Sequence, residues 1–267
     1  MKNIYFLSDA HLGSLAFKHR RTQERRLVHF LDSIKEKAAA VYLLGDMFDF
    51  WFEYKEVVPK GFTRFLGKIS ELTDKGVEVH FFTGNHDMWC GDYLEKECGV
   101  ILHTKPETCD LYGKLFFLAH GDGLGKEDPK FQVLRKIFHN EFLRKCFSAI
   151  HPRWGVAFGK QWAKASRLKH PDEEYKGENN ENLVVFAKNY LRLHSNISYF
   201  IFGHRHIELD LMLTRDVRMF ILGDWFKRFT YVVYDGSNIF LENYIEGESD
   251  ITEEQEKDKN EVSIYIN

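Results

Sequence analysis

Five short turns carry the residue types that bind first-row divalent cations. They read Asp9-Ala10-His11, Gly45-Asp46-Met47-Phe48-Asp49, Gly84-Asn85-His86-Asp87, His120-Gly121-Asp122 and Gly203-His204-Arg205-His206. Imidazole and carboxylate suit Zn, Mn or Fe, and no cysteine falls within these turns. A carboxylate such as Asp46 can bridge two cations through its two oxygens. Glycine ahead of Asp46, Asn85 and His204 permits tight turns and close backbone approach. His204 and His206 are two apart, so in an extended segment they face the same side. Each turn alone is weak, since a lone Asp-x-His is usually a surface turn. Five along one chain point to metal-ion chemistry.

Something must bring these turns together. Each follows an apolar run that reads as a strand: residues 3–7, 41–44, 77–83, 115–119 and 199–202. Helical spacing separates them. Leu27, Phe30, Leu31 and Ile34 predict a helix over 23–37. Phe65, Leu66, Ile69 and Leu72 predict one over 62–72, with Gly76 as its stop, and 182–193 reads as a further helix. Later runs at 218–222, 231–234 and 239–241 read as strands. Strands alternating with helices predict an α/β sandwich built on sheets. In open α/β sheets, sites form at the carboxyl ends of strands. Five ligand-bearing strand ends would therefore converge on one rim.

The bulk of the chain suits this picture. It has 267 residues, 44% apolar and 29% charged, with a net charge of -3, which reads as one large soluble globular domain. The apolar run at 3–7 is shorter than the roughly 7–15 residues of a secretory signal, and no segment approaches the ~20 of a membrane-spanning helix. Cys90, Cys98, Cys109 and Cys146 form no paired framework, which fits free thiols in the cytoplasm. Two stretches stand out. Residues 126–170 hold 11 Lys and Arg against three acids, among apolar residues at helical spacing. Residues 246–261 hold eight acids against two lysines, so 246–267 reads as an acidic, flexible tail after a domain over 1–245. The only basic zone lacks a nucleic-acid-binding motif, so no nucleic-acid partner is expected.

Taken together, the five turns resemble the motif set of the calcineurin-like metallophosphoesterases, over residues 9 to 206 with no block missing. The resemblance implies a four-layer α/β/β/α sandwich and two divalent cations. One cation would take Asp9, His11, Asp46 and His206. The second would take Asp46, Asn85, His120 and His204. His86 would stand as general acid or transition-state stabiliser. Such a pair, roughly 3.5–4 Å apart, acidifies a shared water and clamps phosphoryl oxygens during in-line displacement.

Residues downstream of His120 resemble a narrower group, the UDP-2,3-diacylglucosamine hydrolases of lipid A synthesis. The matching stretch runs His120-Gly-Asp-Gly-Leu124, then Asp128, Phe131-Gln132 and Arg135, and Gly45-Asp46-Met47-Phe48-Asp49-Phe50-Trp51 matches as well. The best-known members of that group carry Arg at the position of His86 and Tyr at that of Phe131. The resemblance implies a helical lid over about 126–170, with Asp128, Phe131, Arg135, Ser166 and Lys169 as substrate contacts. It also implies Mn as the metal, a UDP-linked acylated sugar as substrate, and peripheral contact with the cytoplasmic face of the inner membrane. The lid's apolar and basic faces suit acyl chains and phosphates, though an ordinary helical hairpin packing on the core has the same pattern. A phosphoesterase acting on a soluble nucleotide, diester or phosphoprotein is a second expectation. A non-catalytic scaffold is a third, and it should have lost ligands.

Overall fold

The computed structural model describes residues 1–126, 129–169 and 174–245. In chain order the strands are β1 (Asn3–Leu7), β2 (Ala38–Leu44), β3 (Glu78–Phe82), β4 (Ile101–His103), β5 (Glu107–Leu111), β6 (Lys114–Ala119), β7 (Tyr199–Phe202), β8 (Leu209–Met212), β9 (Arg218–Ile221), β10 (Thr230–Tyr234) and β11 (Ile239–Asn243). The helices are α1 (Arg20–Ile34), α2 (Thr63–Asp74), α3 (Tyr93–Cys98), α4 (Pro129–Phe138), α5 (Glu141–Ser148), α6 (Pro152–Lys169) and α7 (Asn182–Leu193).

Strand alternation builds the layers. In β1, Tyr5 and Leu7 turn toward Leu27, Phe30 and Leu31 of α1 and Phe65 and Ile69 of α2. Ile4 and Phe6 turn the other way and meet Phe116, Leu118, Ile201 and Phe220 of the second sheet. That sheet's far face, with Phe117, Phe200, Phe202 and Met219, packs on Leu183, Val184 and Ala187 of α7. Period-two burial on both faces of two sheets gives four layers, helix, sheet, sheet, helix. The first sheet runs β11-β10-β1-β2-β3-β4 and the second β5-β6-β7-β9-β8. Their centres, β1-β2-β3-β4 and β6-β7-β9, are parallel.

Residues 129–169 form three helices, α4 to α6, rather than a hairpin of two. Asn140 Oδ1 caps α5 by accepting from Leu143 N at 3.1 Å, which separates it from α4. The insertion rests on a small apolar cluster: Phe50, Phe52 and Tyr54 after β2, with Trp89 and Phe147. The Trp89 indole N–H donates to Phe138 O at 2.9 Å, fixing the end of α4.

Candidate metal centre

Parallel order places the carboxyl ends of β1, β2 and β3 together, and those of β6 and β7 beside them. The turns then bond across the sandwich. His204 N donates to Asp9 Oδ2 at 2.9 Å, and the His120 Nδ1–H donates to Leu44 O at 2.8 Å. That second bond occupies Nδ1 and turns Nε2 toward Asp46 and Asn85, the direction a ligating histidine requires.

The side chains form two sets that share one atom. In the first, His206 Nε2 lies 3.1 Å from both Asp9 Oδ1 and His11 Nε2, and His11 Nε2 lies 3.7 Å from Asp46 Oδ2. In the second, His120 Nε2 lies 3.4 Å from Asp46 Oδ2 and 3.3 Å from Asn85 Oδ1, and the His204 ring centroid is 5.1 Å from that of His120. Asp46 Oδ1 accepts the backbone N–H of His86 at 2.8 Å, and Oδ2 is the oxygen that lies near both His11 and His120.

These groups fit divalent cations. Asp9 and Asp46 are 0% and 2% exposed, and buried carboxylates demand a counter-charge. Asp9 Oδ1 receives no hydrogen bond among the described residues, although His206 Nε2 is close. A Cβ on Gly84 would collide with Asp46, and one on Gly203 with Ser8 and Asp9, so glycine there permits close approach. The backbone is strained at the same places. Asp9, His11, Asp46, His204 and His206 all have φ between 45° and 68°, a left-handed conformation costing side-chain-bearing residues of order 1–3 kcal/mol each.

The electrostatics follow from crowding. Burial raises the Asp46 carboxyl, but His120 and His86 outweigh it and hold the group well below the usual range. Burial lowers His120, and Asp46 and Asp9 reverse the shift, raising it well above an ordinary imidazole. His204 is pushed down to about 4 by burial and by neighbouring His120.

Asp87 fastens the turns. Its carboxylate accepts from Gly84 N at 2.7 Å, Met47 N at 2.8 Å, and Asp46 N and Phe48 N at 3.2 Å. Gln23 of α1 donates to Ala10 O between Asp9 and His11. His86 is set by two bonds, its backbone N–H to Asp46 and its Nδ1–H to Asp49 O at 2.8 Å.

Residues 2–208 match the family described as calcineurin-like phosphoesterase. The chain belongs to the calcineurin-like phosphoesterase family. It is 45% identical over 253 residues to the UDP-2,3-diacylglucosamine hydrolase of Porphyromonas gingivalis, covering 90% of this chain and 97% of that protein. The corresponding hydrolase of Neisseria meningitidis serogroup C is 31% identical, over 87% of this chain and 94% of that one. That of Haemophilus influenzae is 28% identical over the same shares.

In this phosphoesterase the helical insertion reaches the site through a residue the sequence reading passes over. Arg167 of α6 donates from Nη2 to Asp49 Oδ1 at 2.9 Å. Its guanidinium lies 5.3 Å from the ring centroids of Phe17 and Phe226. Phe226 also edges against His11 and His206, on a turn whose N–H groups donate to Asp224. Asp49 and Asp87 stand inside the ligand-bearing turns, whose spacing assigns neither of them a role. Arg167 is next to Ser166, the residue the motif match selects, and Ser166 itself is exposed on α6. Arg135 donates from Nε to Asp122 Oδ2 at 3.1 Å. These two border a cavity of about 140 Å³ with His120, Thr83, Lys105 and His139. Asp128, the side chains of Phe131 and Lys169, and the segment 246–267 lie outside the described residues.

Proposed function

We propose that the protein hydrolyses the pyrophosphate bond of UDP-2,3-diacylglucosamine, giving UMP and 2,3-diacylglucosamine 1-phosphate, a step of lipid A synthesis. The observation that carries the reading is the shared site at Asp46 Oδ2 beneath a helical insertion, in a chain 45% identical to a UDP-2,3-diacylglucosamine hydrolase. Asp9, His11, Asp46 and His206 would hold one divalent cation, and Asp46, Asn85, His120 and His204 the other, with Mn as the metal. Bound there, the two cations acidify water at neutral pH and neutralise phosphoryl oxygens.

The chain's own groups do the rest. Asp9 and Asp46 supply the negative charge that retains the cations. The His120 Nδ1–H bond to Leu44 O presents Nε2 in a fixed direction. His86 has its Nδ1–H committed to Asp49 O, so Nε2 is the nitrogen left for the reaction, and in the imidazolium form it donates a proton to charge developing in the transition state. Asp122, Arg135 and Lys105 line the cavity next to His120, a polar wall for the phosphate side of the substrate. The insertion is the apolar wall. Val133, Phe142, Trp154, Phe158 and Trp162 stand exposed on α4, α5 and α6, and Phe142 is 70% exposed. Lys and Arg residues share those helices, the combination that binds acyl chains and anionic lipid surfaces. This supports peripheral contact with the cytoplasmic face of the inner membrane, and no helix of the described residues is long and apolar enough to cross one.

The test compares kcat/KM of the Mn-loaded protein on UDP-2,3-diacylglucosamine, on the same UDP-sugar without acyl chains, and on bis(p-nitrophenyl) phosphate. The acylated substrate should be preferred over the other two by at least about 100-fold, some 2.7 kcal/mol. Equal values for the two UDP-sugars would favour a phosphoesterase for soluble nucleotides or diesters. No hydrolysis of any of them would favour a non-catalytic scaffold.

A further inference from the structure

The helical insertion touches the proposed cation ligands along one chain of contacts. Arg167 Nη2 donates to Asp49 Oδ1, and that same oxygen lies 3.6 Å from His11 Nδ1. All three side chains are buried or nearly so: 11% exposed for Arg167, 1% for Asp49 and 0% for His11. His11 Nδ1 has no hydrogen-bond partner among the described residues, and Asp49 Oδ1 is the charged acceptor beside it. The other ring nitrogen, Nε2, faces Asp9, Asp46 and His206.

We propose that Arg167 is a positioning residue for the cation ligand His11, acting through Asp49. The inference rests on the two-cation reading of the site. A ligating histidine keeps its tautomer and ring direction through its second N–H, usually by donating it to a carboxylate or carbonyl. Asp49 is placed to be that carboxylate. A carboxylate so buried needs a charged partner to offset its lost solvation. Arg167 supplies that partner through a charge-assisted hydrogen bond and holds Asp49 still. Phe17 and Phe226 enclose the guanidinium, and Phe226 also touches His11 and His206, so the arginine has little room to leave. The seat of α6 is equally confined, because Gly159 brings the helix against the ring of Phe50, the residue after Asp49. The helical insertion therefore sets the direction of a ligand in the first turn of the chain, as well as covering the site.

Metal-free protein titrated with Mn²⁺, with free Mn²⁺ read by electron paramagnetic resonance, tests this. Wild type should take up two ions. Arg167→Ala should weaken one of them by about 10–100-fold, the usual cost of losing the partner behind a ligating histidine, and leave the other alone. Asp49→Asn should weaken the same ion. The double variant should bind no worse than Asp49→Asn alone, because both residues act through one carboxylate. Arg167→Lys, which keeps the charge without the planar fork, should recover part of the loss, and it carries the test if the alanine variant does not fold. On bis(p-nitrophenyl) phosphate, kcat should fall with Mn²⁺ affinity in each variant. Unchanged Mn²⁺ affinity together with a raised KM for the acylated substrate would overturn the inference and make Arg167 a substrate contact. Losses that add in the double variant would overturn it as well. A wild type that takes up no Mn²⁺ would remove the two-cation reading itself.

Discussion

The backbone N–H of His86 donates to Oδ1 of Asp46 at 2.8 Å, which commits one oxygen of the shared carboxylate and leaves the other to face His11 and His120. This decides how Asp46→Asn should behave. An asparagine must either set its NH2 against the His86 N–H or turn that NH2 into the cation site, and both arrangements repel. Turnover should be lost, and bound metal should fall from two ions to one or none by elemental analysis of the dialysed protein. A variant with wild-type metal content and rate would rule out the shared carboxylate.

His86→Ala separates catalysis from metal binding. His86 is held by Asp46 and Asp49 O, and its ring is edge-on to His11, with centroids 4.9 Å apart. In the proposed role its remaining ring nitrogen donates to developing charge, and removing one such donor costs about 10²–10³ in rate. Metal content should stay at the wild-type value while kcat falls by that factor. Loss of an ion would make His86 a ligand, a role its nearness to His11 and Asp46 also permits.

How far these residues were legible from sequence varies with the kind of signal. Buried central strands such as β1, β2 and β7 show as apolar runs, and the turns after them carry ligand types at recognisable spacing. Strands β4, β5 and β8 left no such trace. They are short strands at sheet edges, and few of their inward positions are fully buried. The alanines that begin β2 read as neutral, although Ala38 and Ala40 are buried. The ligand residues were visible because cation chemistry restricts side-chain type. Arg167 was not, because one arginine among 11 basic residues has no local mark, and only the packing of α6 singles it out. Asp87 shows the same limit: its four backbone donors come from two separate turns.

Arg135 tests the polar wall. It pairs with Asp122 beside the cavity next to His120 while remaining 39% exposed, so it contributes little to the core, and the proposed function gives it a substrate contact. Arg135→Ala should lower kcat/KM on the acylated UDP-sugar by about 1.5–3 kcal/mol, the range for a hydrogen bond to a charged group. The rate on bis(p-nitrophenyl) phosphate should change much less, because that substrate has no diphosphate or sugar to set against Arg135. Equal losses on both would assign Arg135 to the fold or the metals.

Removing the metals should cost stability. The buried carboxylates and the strained ligand turns persist in part because bound cations favour the folded state. At free metal about 100-fold above its dissociation constant, one site contributes about 2.7 kcal/mol. For a chain of this size that corresponds to roughly 5–10 °C in Tm. Thermal unfolding before and after chelation, with Mn²⁺ restored as the control, should show a drop of that size and its recovery. An unchanged Tm would mean that the site holds no tightly bound cation.

The central claim is that this site splits the pyrophosphate of an acylated UDP-sugar. The most direct measurement is product analysis by mass spectrometry of UDP-2,3-diacylglucosamine incubated with the Mn-loaded protein, beside the chelated protein and Asp46→Asn. UMP and the acylated sugar 1-phosphate should accumulate in equal amounts with the loaded wild type and be absent from both controls. Intact substrate in all three, with the loaded protein still hydrolysing a soluble diester, would contradict the account.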